Sequence, residues 1–249
     1  MPSPAQKSRH EEDSAFVLHT YPYSETSLIV EMLTRQHGRL GMMAKGAKRP
    51  RSALRGMLLA FQPLLITWFG KSELRTLGRV EWREALPQLS GTALMCGFYM
   101  NELILKLTHR DDPHETLFDF YSETMGLLRA GGKGSNEATQ YGPILRRFEL
   151  RLLKELGYAV SLDKDIGSGE TVVVDKRYEY LIEQGPVAAP LDANRFQLRG
   201  QTLLDMARED YTAPTTLQEA KQLMRRLVNH YLGGQTLHTR QLLRDLREI

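Results

Sequence analysis

Hydrophobic and polar positions alternate in short runs over the first third of the chain. Five such runs follow one another between Ala15 and Glu84: AFVLHT, SLIVEMLT, GRLGMMAKG, PLLITWF and ELRTLGRVE. Turn-forming residues separate them, at Pro22, Gly38, Pro50 and Gly70. Alternation with a period of two is typical of strands that bury one face. Five short strands at this close spacing predict a small β-barrel.

The hydrophobic pattern changes after Pro87. Apolar residues now recur three and four positions apart, in LSGTALMCGFYMNELILKLTHR and in YGPILRRFELRLLKELGY, which is the period of a helix. Asp112, Pro113 and Glu115 have the order of a helix N-cap, a first-turn proline and a capping-box acid. They predict a helix that runs to about Arg129.

An irregular segment, residues 161–198, interrupts the helices. Its VVV and YEYLIE runs are each predicted to form a short strand, and helical periods resume after it. The chain is therefore predicted to have an α+β fold. A flexible tail over residues 1–14 precedes a five-stranded barrel over 15–86, and a mostly helical domain over 87–249 contains the small irregular β insertion.

Basic charge is concentrated within the predicted barrel. From Met32 to Ser72 the chain carries eight basic side chains and no carboxylate. The formal net charge of the whole chain is +3, so the remainder carries −5. A chance run of solvated cations is one explanation. Cations grouped without counter-charges also repel one another and gain from a polyanion, so a phosphate backbone is the first partner to consider.

Strand alternation places part of this charge on one wall of the barrel. Arg39 and Lys45 lie on one side of the third strand, opposite its apolar side. Lys71, Arg75 and Arg79 are predicted to share one face of the fifth. The residues predicted to bind the nucleic acid are Arg35, Arg39, Lys45, Lys48, Arg49, Arg51, Arg55, Lys71, Arg75 and Arg79.

Binding of single strands also requires flat side chains on which bases stack. Tyr21 and Tyr23 lie in a predicted turn, which suits this role. Phe61, Trp68 and Phe69 are predicted to fill the barrel core, with base stacking as the alternative. A basic five-stranded barrel is typical of the oligonucleotide-binding fold, or OB-fold.

No catalytic motif is present in the sequence. It has no GxSxG elbow, no Walker A loop and no EF-hand spacing. His109 and His114 flank two aspartates, an arrangement that suits either a metal site or the helix cap described above. Cys96 is the only cysteine, so neither an internal disulfide nor a thiolate metal site is predicted. We therefore expect no enzymatic activity, no cofactor and no bound metal.

Membrane and export signals are not predicted either. No stretch approaches the roughly 18 consecutive apolar residues of a membrane helix. The first residues, MPSPAQKSRHEEDS, are polar and unlike a signal peptide. The sequence therefore predicts a cytoplasmic protein that does not bind membranes.

Several short motifs occur in a family-specific order. The first is the stretch from Ala15 to Pro50, AFVLHTYPYSETSLIVEMLTRQHGRLGMMAKGAKRP. FQPLL, NELI, RRFEL, ELGY, GSGE and YLGG follow in order, so that the matches extend to about Leu243. In these features the chain closely resembles the bacterial RecO family of recombination mediators.

The resemblance implies an OB-fold barrel and a helical domain that act in recombinational repair through the RecF pathway. Proteins of this family bind single- and double-stranded DNA and anneal complementary strands. With RecR they help to load RecA onto DNA that is coated by single-strand-binding protein. The implied partners are therefore DNA, RecR, single-strand-binding protein and, indirectly, RecA, in the bacterial cytoplasm at the nucleoid.

The resemblance also implies a partner site in the helical domain. Family members bind the acidic, phenylalanine-ended tail of single-strand-binding protein there. Arg146, Arg147 and Phe148 lie in the RRFEL match and are predicted to bind that tail. The alternative is that the two arginines merely pair with Glu149 or face solvent.

The chain departs from the family pattern at one place. Many members carry a four-cysteine zinc site after ELGY, whereas this chain has LDKDIGSGE there and no later cysteine. Zinc is therefore not expected. The segment is predicted to be held by packing of its apolar and aromatic side chains, Val172, Val174, Tyr178, Tyr180 and Leu181.

Two other functions remain open from the residues alone. An RNA-binding or translation-associated protein is one, because cations on an OB-fold do not distinguish ribose from deoxyribose. A metal-dependent nuclease that uses carboxylates from the acidic remainder is the other, although no carboxylate motif is recognisable.

Overall fold

The computed structural model describes residues 12–131, 136–158, 160–190 and 195–245. The predicted tail thus lies outside the described residues as far as residue 11. The chain forms two compact units, Met1–Arg129 and Ala130–Ile249. This division comes later than the domain boundary predicted at residue 87, because two long helices pack with the barrel.

Five strands form the barrel of the first unit: β1 (Asp13–Pro22), β2 (Leu28–Thr34), β3 (Gly38–Ala44), β4 (Leu64–Phe69) and β5 (Leu74–Trp82). They close in the order β1-β2-β3-β5-β4, and β4 pairs antiparallel with β1. β3 and β5 are parallel, and a short helix, α1 (Ala53–Met57), lies in the connection between β3 and β4. The predicted five-stranded OB-fold barrel is confirmed.

The barrel core is built from alternate positions of the strands. Leu40, Met42 and Ala44 of β3 are fully buried, as the alternation predicted. Trp68 of β4 is also fully buried and belongs to the same cluster. The large apolar residues of the predicted strands therefore fill the barrel interior, and their neighbours in sequence face outward.

β1 begins inside the predicted tail. The Asp13 carboxylate is buried, accepts a hydrogen bond from the Gln36 backbone N–H at 3.2 Å, and lies 2.8 Å from His37 Nδ1. These contacts attach the start of β1 to the β2–β3 turn. Asp13 and Ser14 consequently belong to the barrel, which corrects the predicted end of the tail at residue 14.

A bulge interrupts the alternation of β5. Leu77 and Val80 both lie in the barrel core although they are three positions apart, and the pairing with β4 shifts register between them. Only 14% of the Arg75 side chain is exposed, compared with 55% of Arg79. The prediction that these arginines share one outer face is therefore wrong, because the bulge lies between them.

Two helices, α2 (Gly91–Leu107) and α3 (Glu115–Ala130), complete the first unit. The Asn101 side-chain amide donates to the Leu18 carbonyl of β1 at 2.9 Å. The buried Tyr121 hydroxyl donates in turn to Asn101 Oδ1 at 2.6 Å. Because these buried polar groups satisfy one another, α2 and α3 pack on the barrel without an unpaired group at this contact.

α3 begins later than predicted. Its first hydrogen bond runs from the Phe118 N–H to the His114 carbonyl at 3.1 Å, so Asp112 is not the N-cap. The Asp112 carbonyl instead lies against Gly38, whose φ of +67° and missing side chain permit the contact. Asp112 is thus held at the β2–β3 turn, and the chain enters the helix only beyond it.

The second unit combines helices with a small sheet. Its helices within the described residues are α4 (Glu137–Glu155), α5 (Gly200–Ala207), α6 (Pro214–Tyr231) and α7 (His238–Asp245). The sheet has the order β7-β6-β8 and consists of β6 (Arg177–Leu181), β7 (Gly185–Ala188) and β8 (Gln197–Arg199). The predicted YEYLIE strand corresponds to β6, and the α+β class of the chain is confirmed.

The predicted VVV strand does not form. Val172 is buried, whereas Val173 and Val174 are each 43% exposed. The Val173 N–H donates to the Tyr178 hydroxyl at 2.8 Å and not to a neighbouring strand, and the Val173 carbonyl lies against Gly200. Because these contacts use up its backbone groups, the run forms a turn, and Val174 does not contribute to the packing that was expected of it.

Asp165 organises the loop that precedes this turn. Its buried carboxylate accepts hydrogen bonds from the backbone N–H groups of Gly167 at 2.9 Å and Ala188 at 3.4 Å. The Asp165 carbonyl also accepts from the Gly169 N–H at 2.7 Å. The bonds to the carboxylate, led by that of Gly167, lower the pKa of Asp165. A carboxylate therefore ties together the segment in which no zinc was expected.

The Asp165 bonds predict an acid-sensitive contribution to stability. A pKa lowered by folding adds stability above the ordinary pKa of aspartate, and this stability is lost as the pH falls through the lowered value. Asp165→Asn is thus expected to melt a few degrees below the parent at pH 7, with the difference shrinking in acid. Melting curves across pH measure this. Asp163 is exposed, so Asp163→Asn serves as the control. A difference in melting temperature between Asp165→Asn and the parent that does not change with pH would contradict this role of the Asp165 carboxylate.

Candidate nucleic-acid interface

One outer wall of the barrel carries an aromatic and apolar row. Strand pairing places Tyr21 of β1 beside Ile29 of β2, and Ile29 beside Met43 of β3. Tyr21 is 44% exposed and Tyr23, in the following turn, is 56% exposed. Tyr21 also contacts the His19 ring edge-on at 4.4 Å between centroids. This row offers a flat surface of the kind on which bases stack.

The connection between β3 and β4 lies beyond this row and carries exposed cations. They are Lys45, Lys48, Arg49, Arg51 and Arg55. Within the described part of the chain none of the five forms an ion pair with a carboxylate. The Lys48 N–H donates to the Thr26 carbonyl at 2.9 Å, and Lys48 Nζ donates to the Ser24 carbonyl at 2.8 Å. The connection is therefore fastened to the β1–β2 turn while its charge stays uncompensated.

Four of the other predicted cations face carboxylates instead. Arg35 pairs with Asp119 at 3.1 Å, and this hydrogen bond raises the arginine's pKa. Arg39 pairs with Glu31, Arg75 with Asp111, and Arg79 with Glu81 and Glu12. Their charge is already compensated within the fold, so these four predicted contacts would gain less from a phosphate than the cations of the β3–β4 connection. Lys71, in the β4–β5 turn, is exposed and stays a predicted contact.

Glu31 is the centre of an ion-pair network that the charge pattern did not reveal. It is 2% exposed and accepts from Arg39 at 2.8 Å and from Arg110. The hydrogen bond to Glu31 raises the pKa of Arg110. Arg39 also donates to the Thr108 carbonyl at 2.9 Å, which joins β3 to the end of α2. Arg39 is thus a structural residue of the first unit.

For three large aromatic residues the sequence left two roles open, core packing and base stacking. Two of the three lie in the interior. Trp68 is fully buried in the barrel, and Phe61 is 2% exposed and packs on Phe98 of α2 at 5.2 Å between ring centroids. Phe69 is half-buried at the end of β4. The exposed tyrosines of the first unit are therefore better placed to stack on bases.

The residues predicted to bind a partner tail lie mostly inside the second unit. Phe148 is 1% and Arg146 is 7% exposed, and Arg146 donates to the buried Glu149 at 2.7 Å. Arg147 faces Glu209 at 3.2 Å. The alternative reading of the RRFEL run is therefore correct for Arg146. The assignment of Arg146 and Phe148 to a surface site is wrong, because α4 buries them.

The second unit has a basic surface of its own. From Lys221 to Arg244 the chain carries five basic residues and no carboxylate. Lys221 and Arg225 lie one turn apart on the exposed face of α6, whereas Arg226 covers the Phe196 ring at 4.2 Å. A count of basic residues in stretches without carboxylates, which located the basic charge of the barrel, would also have located this surface in the sequence.

The residues that the structure describes contain neither a cluster suited to a metal ion nor a helix suited to a membrane. Across the described ranges no group of three or more His, Cys, Asp or Glu side chains is arranged to hold a metal ion. Of the two aspartates beside His109 and His114, Asp111 pairs with Arg75 and Asp112 lies 3.3 Å from His114. Among the helices described, none combines the length and apolar character needed to span a membrane.

Comparison with known proteins gives matches along almost the whole chain. The family model described as recombination protein O N terminal matches residues 9–86, and recombination protein O C terminal matches residues 88–241. The chain is 53% identical to the DNA repair protein RecO of Nitrosospira multiformis over 98% of both chains. It is 50% and 52% identical to the proteins of the same name from Aromatoleum aromaticum and an Azoarcus species, each over 98% of this chain and 100% of the relative.

Proposed function

The chain belongs to the recombination protein O family, and from this premise we propose that it is a DNA-binding recombination mediator in DNA repair. It anneals complementary single strands and, with RecR, helps to load RecA onto DNA coated by single-strand-binding protein. It acts by binding and not by catalysis. It works in the bacterial cytoplasm, at the nucleoid.

The observation that carries the proposal is the group of uncompensated cations on the β3–β4 connection. Lys45, Lys48, Arg49, Arg51 and Arg55 lie within eleven residues of one another in sequence, next to the exposed Tyr21 row. Cations that already face carboxylates gain little from a phosphate, whereas these five gain the full interaction. The pairing pattern therefore supports a phosphate backbone bound along this connection, with bases towards the tyrosine.

Annealing follows from charge neutralisation. Two complementary strands repel each other through their phosphates, and cations that contact both backbones lower this repulsion. Base pairing then supplies the free energy that drives the strands together. The protein has only to raise the rate of productive encounters, and neither ATP nor a metal ion is required for this step.

Partner binding is assigned to the second unit. An acidic protein tail requires exposed cations, and Lys221 and Arg225 on α6 provide them, in place of the buried Arg146. RecR and single-strand-binding protein are the expected direct partners, and RecA is the indirect one. Charge reversal at Lys221 and Arg225 is the corresponding variant for a tail-binding measurement.

An annealing assay tests the proposed function. Complementary oligonucleotides coated with single-strand-binding protein are mixed with this chain without ATP, and duplex formation is followed together with strand length. Faster pairing with intact strands is expected. With about five phosphates neutralised, the logarithm of the affinity for single-stranded DNA should fall against log salt with a slope of about −3.5. A flat slope, shortened strands, or an effect confined to RNA would overturn the proposal.

A further inference from the structure

An open cavity of about 360 Å³ lies beside the β1–β2 turn, under α1. Leu28, Ala47, Leu54 and Leu58 give it an apolar lining. Ala47 and Leu58 are almost fully buried and form its floor, while Leu28 and Leu54 are half-buried. The cavity is therefore a depression with an apolar lining that is open to solvent.

The mouth of the cavity is cationic. Lys48 and Arg55 line it and are exposed, and no carboxylate is among its lining residues. Both cations belong to the group that lacks ion-pair partners in the described chain. A ligand that fills this cavity should therefore have an apolar body and negative charge close to it.

The cavity is formed in advance of any ligand. The Lys48 N–H and Nζ bonds to Thr26 and Ser24 hold the β3–β4 connection against the β1–β2 turn. The Ser27 N–H donates to Ser24 Oγ at 3.2 Å, which closes that turn. On the other side, Leu54 of α1 packs against the barrel core. A ligand would thus bind without ordering a loop, which reduces the entropic cost of binding.

We propose that this cavity receives one unstacked nucleobase of a bound single strand, with the adjoining phosphates on Lys48 and Arg55. A nucleotide combines a flat, largely apolar base with a phosphate on either side, which matches the apolar floor and the cationic mouth. A free anion would leave the floor unused, and a neutral apolar molecule would leave the cations unused. The inference rests on the proposed DNA binding. It adds to the phosphate contacts a contact with a base, and this contact does not distinguish one base from another.

The base contact favours single strands over duplex DNA. A base can enter the cavity only when it is unpaired and unstacked, whereas phosphate contacts are available on either form. The cavity therefore adds affinity for single strands alone. During annealing the base must leave the cavity to pair with the incoming strand, so this contact is given up as the product forms.

Filling the cavity tests the inference. Thr20 also lines it, and Thr20→Phe places a ring in the space without changing charge. Affinity for a thymidine strand of about twelve nucleotides is expected to fall about tenfold, the effect of losing one stacked base. Affinity for a strand of abasic residues with the same phosphates, and the salt slope, should not change. Leu59→Phe is the matched control, because Leu59 is exposed on the same connection and outside the cavity.

Crosslinking of the unaltered protein tests the same contact if Thr20→Phe fails to fold. A strand that contains 4-thiothymidine is expected to crosslink to the peptides that contain Thr20, Leu28 or Leu54. Crosslinks confined to other peptides would overturn the cavity assignment, as would equal affinities of Thr20→Phe and the parent. If the unaltered protein binds no DNA, or binds with a flat salt slope, the proposed function itself fails.

Discussion

Replacing Lys48, Arg49 and Arg51 together by glutamine is expected to lower the affinity for single-stranded DNA about 100-fold at 0.1 M salt. Each phosphate contact with a single strand contributes roughly 0.7 to the slope of log affinity against log salt. Three lost contacts therefore reduce the slope from about −3.5 to about −1.4. Titration of a labelled strand at several salt concentrations measures both quantities, and strand annealing should be lost in parallel.

The control for this triple variant removes the same charge from paired arginines. Arg35, Arg79 and Arg195 are exposed, and each faces a carboxylate, Asp119, Glu81 and Glu179 respectively. Their replacement by glutamine changes the net charge equally but removes cations that are already compensated. DNA affinity should fall only a few-fold. If both triple variants weaken binding equally, overall charge and not the β3–β4 connection governs the affinity.

Replacing Glu31 by alanine is expected to destabilise the first unit by about 3 kcal/mol. The buried carboxylate holds Arg39 and Arg110, whose side chains are 15% and 29% exposed. Without it, Arg39 loses its carboxylate partner, and Arg110 keeps only the exposed Glu73. The arginines retain some contact with water, which places the cost at the lower end of the range for breaking a buried ion pair. Urea unfolding of the variant and the parent measures the difference.

The same network provides the control for Glu31→Ala. Glu73 lies 3.0 Å from Arg110, but its side chain is 80% exposed. Solvent screens that pair, so Glu73→Ala should change the free energy of unfolding by no more than about 1 kcal/mol. Equal losses in the two variants would show that Glu31 is no more important than a surface partner. A free energy of unfolding unchanged by Glu31→Ala would remove the structural role assigned to Arg39.

The barrel and its core followed from local pattern. A period of two in β3 placed Leu40, Met42 and Ala44 on one side, and the structure buries all three. The helical period likewise predicted α2 and α4. These elements can be predicted from the sequence because the geometry of a strand or a helix repeats every few residues. Apolar residues occupy the positions of that repeat that face the core. The motif order also predicted the family, which the comparisons confirm.

The irregular features of the fold could not be predicted from such a repeat. The β5 bulge, the late start of α3 and the turn at Val173 each depend on a contact with a distant segment. Gly38 accommodates Asp112, and Gly200 accommodates Val173, across gaps in sequence that no local period spans. Local propensity was overridden at these points by packing between elements.

The charged residues show most clearly which features the sequence predicts and which features only the fold decides. Counting residues was enough to locate the basic stretch, to exclude a strongly acidic barrel, and to suggest a polyanionic partner. It could not separate Arg39 from Lys48, because the partner of an arginine is a matter of three-dimensional distance. Arg110 meets Glu31 from 79 positions away, and Arg35 meets Asp119 from 84 positions away. Composition and periodicity thus determined the kind of fold and ligand, whereas the folded chain decided which cations are free to bind, since Coulombic pairing depends on proximity in space and not on order along the chain.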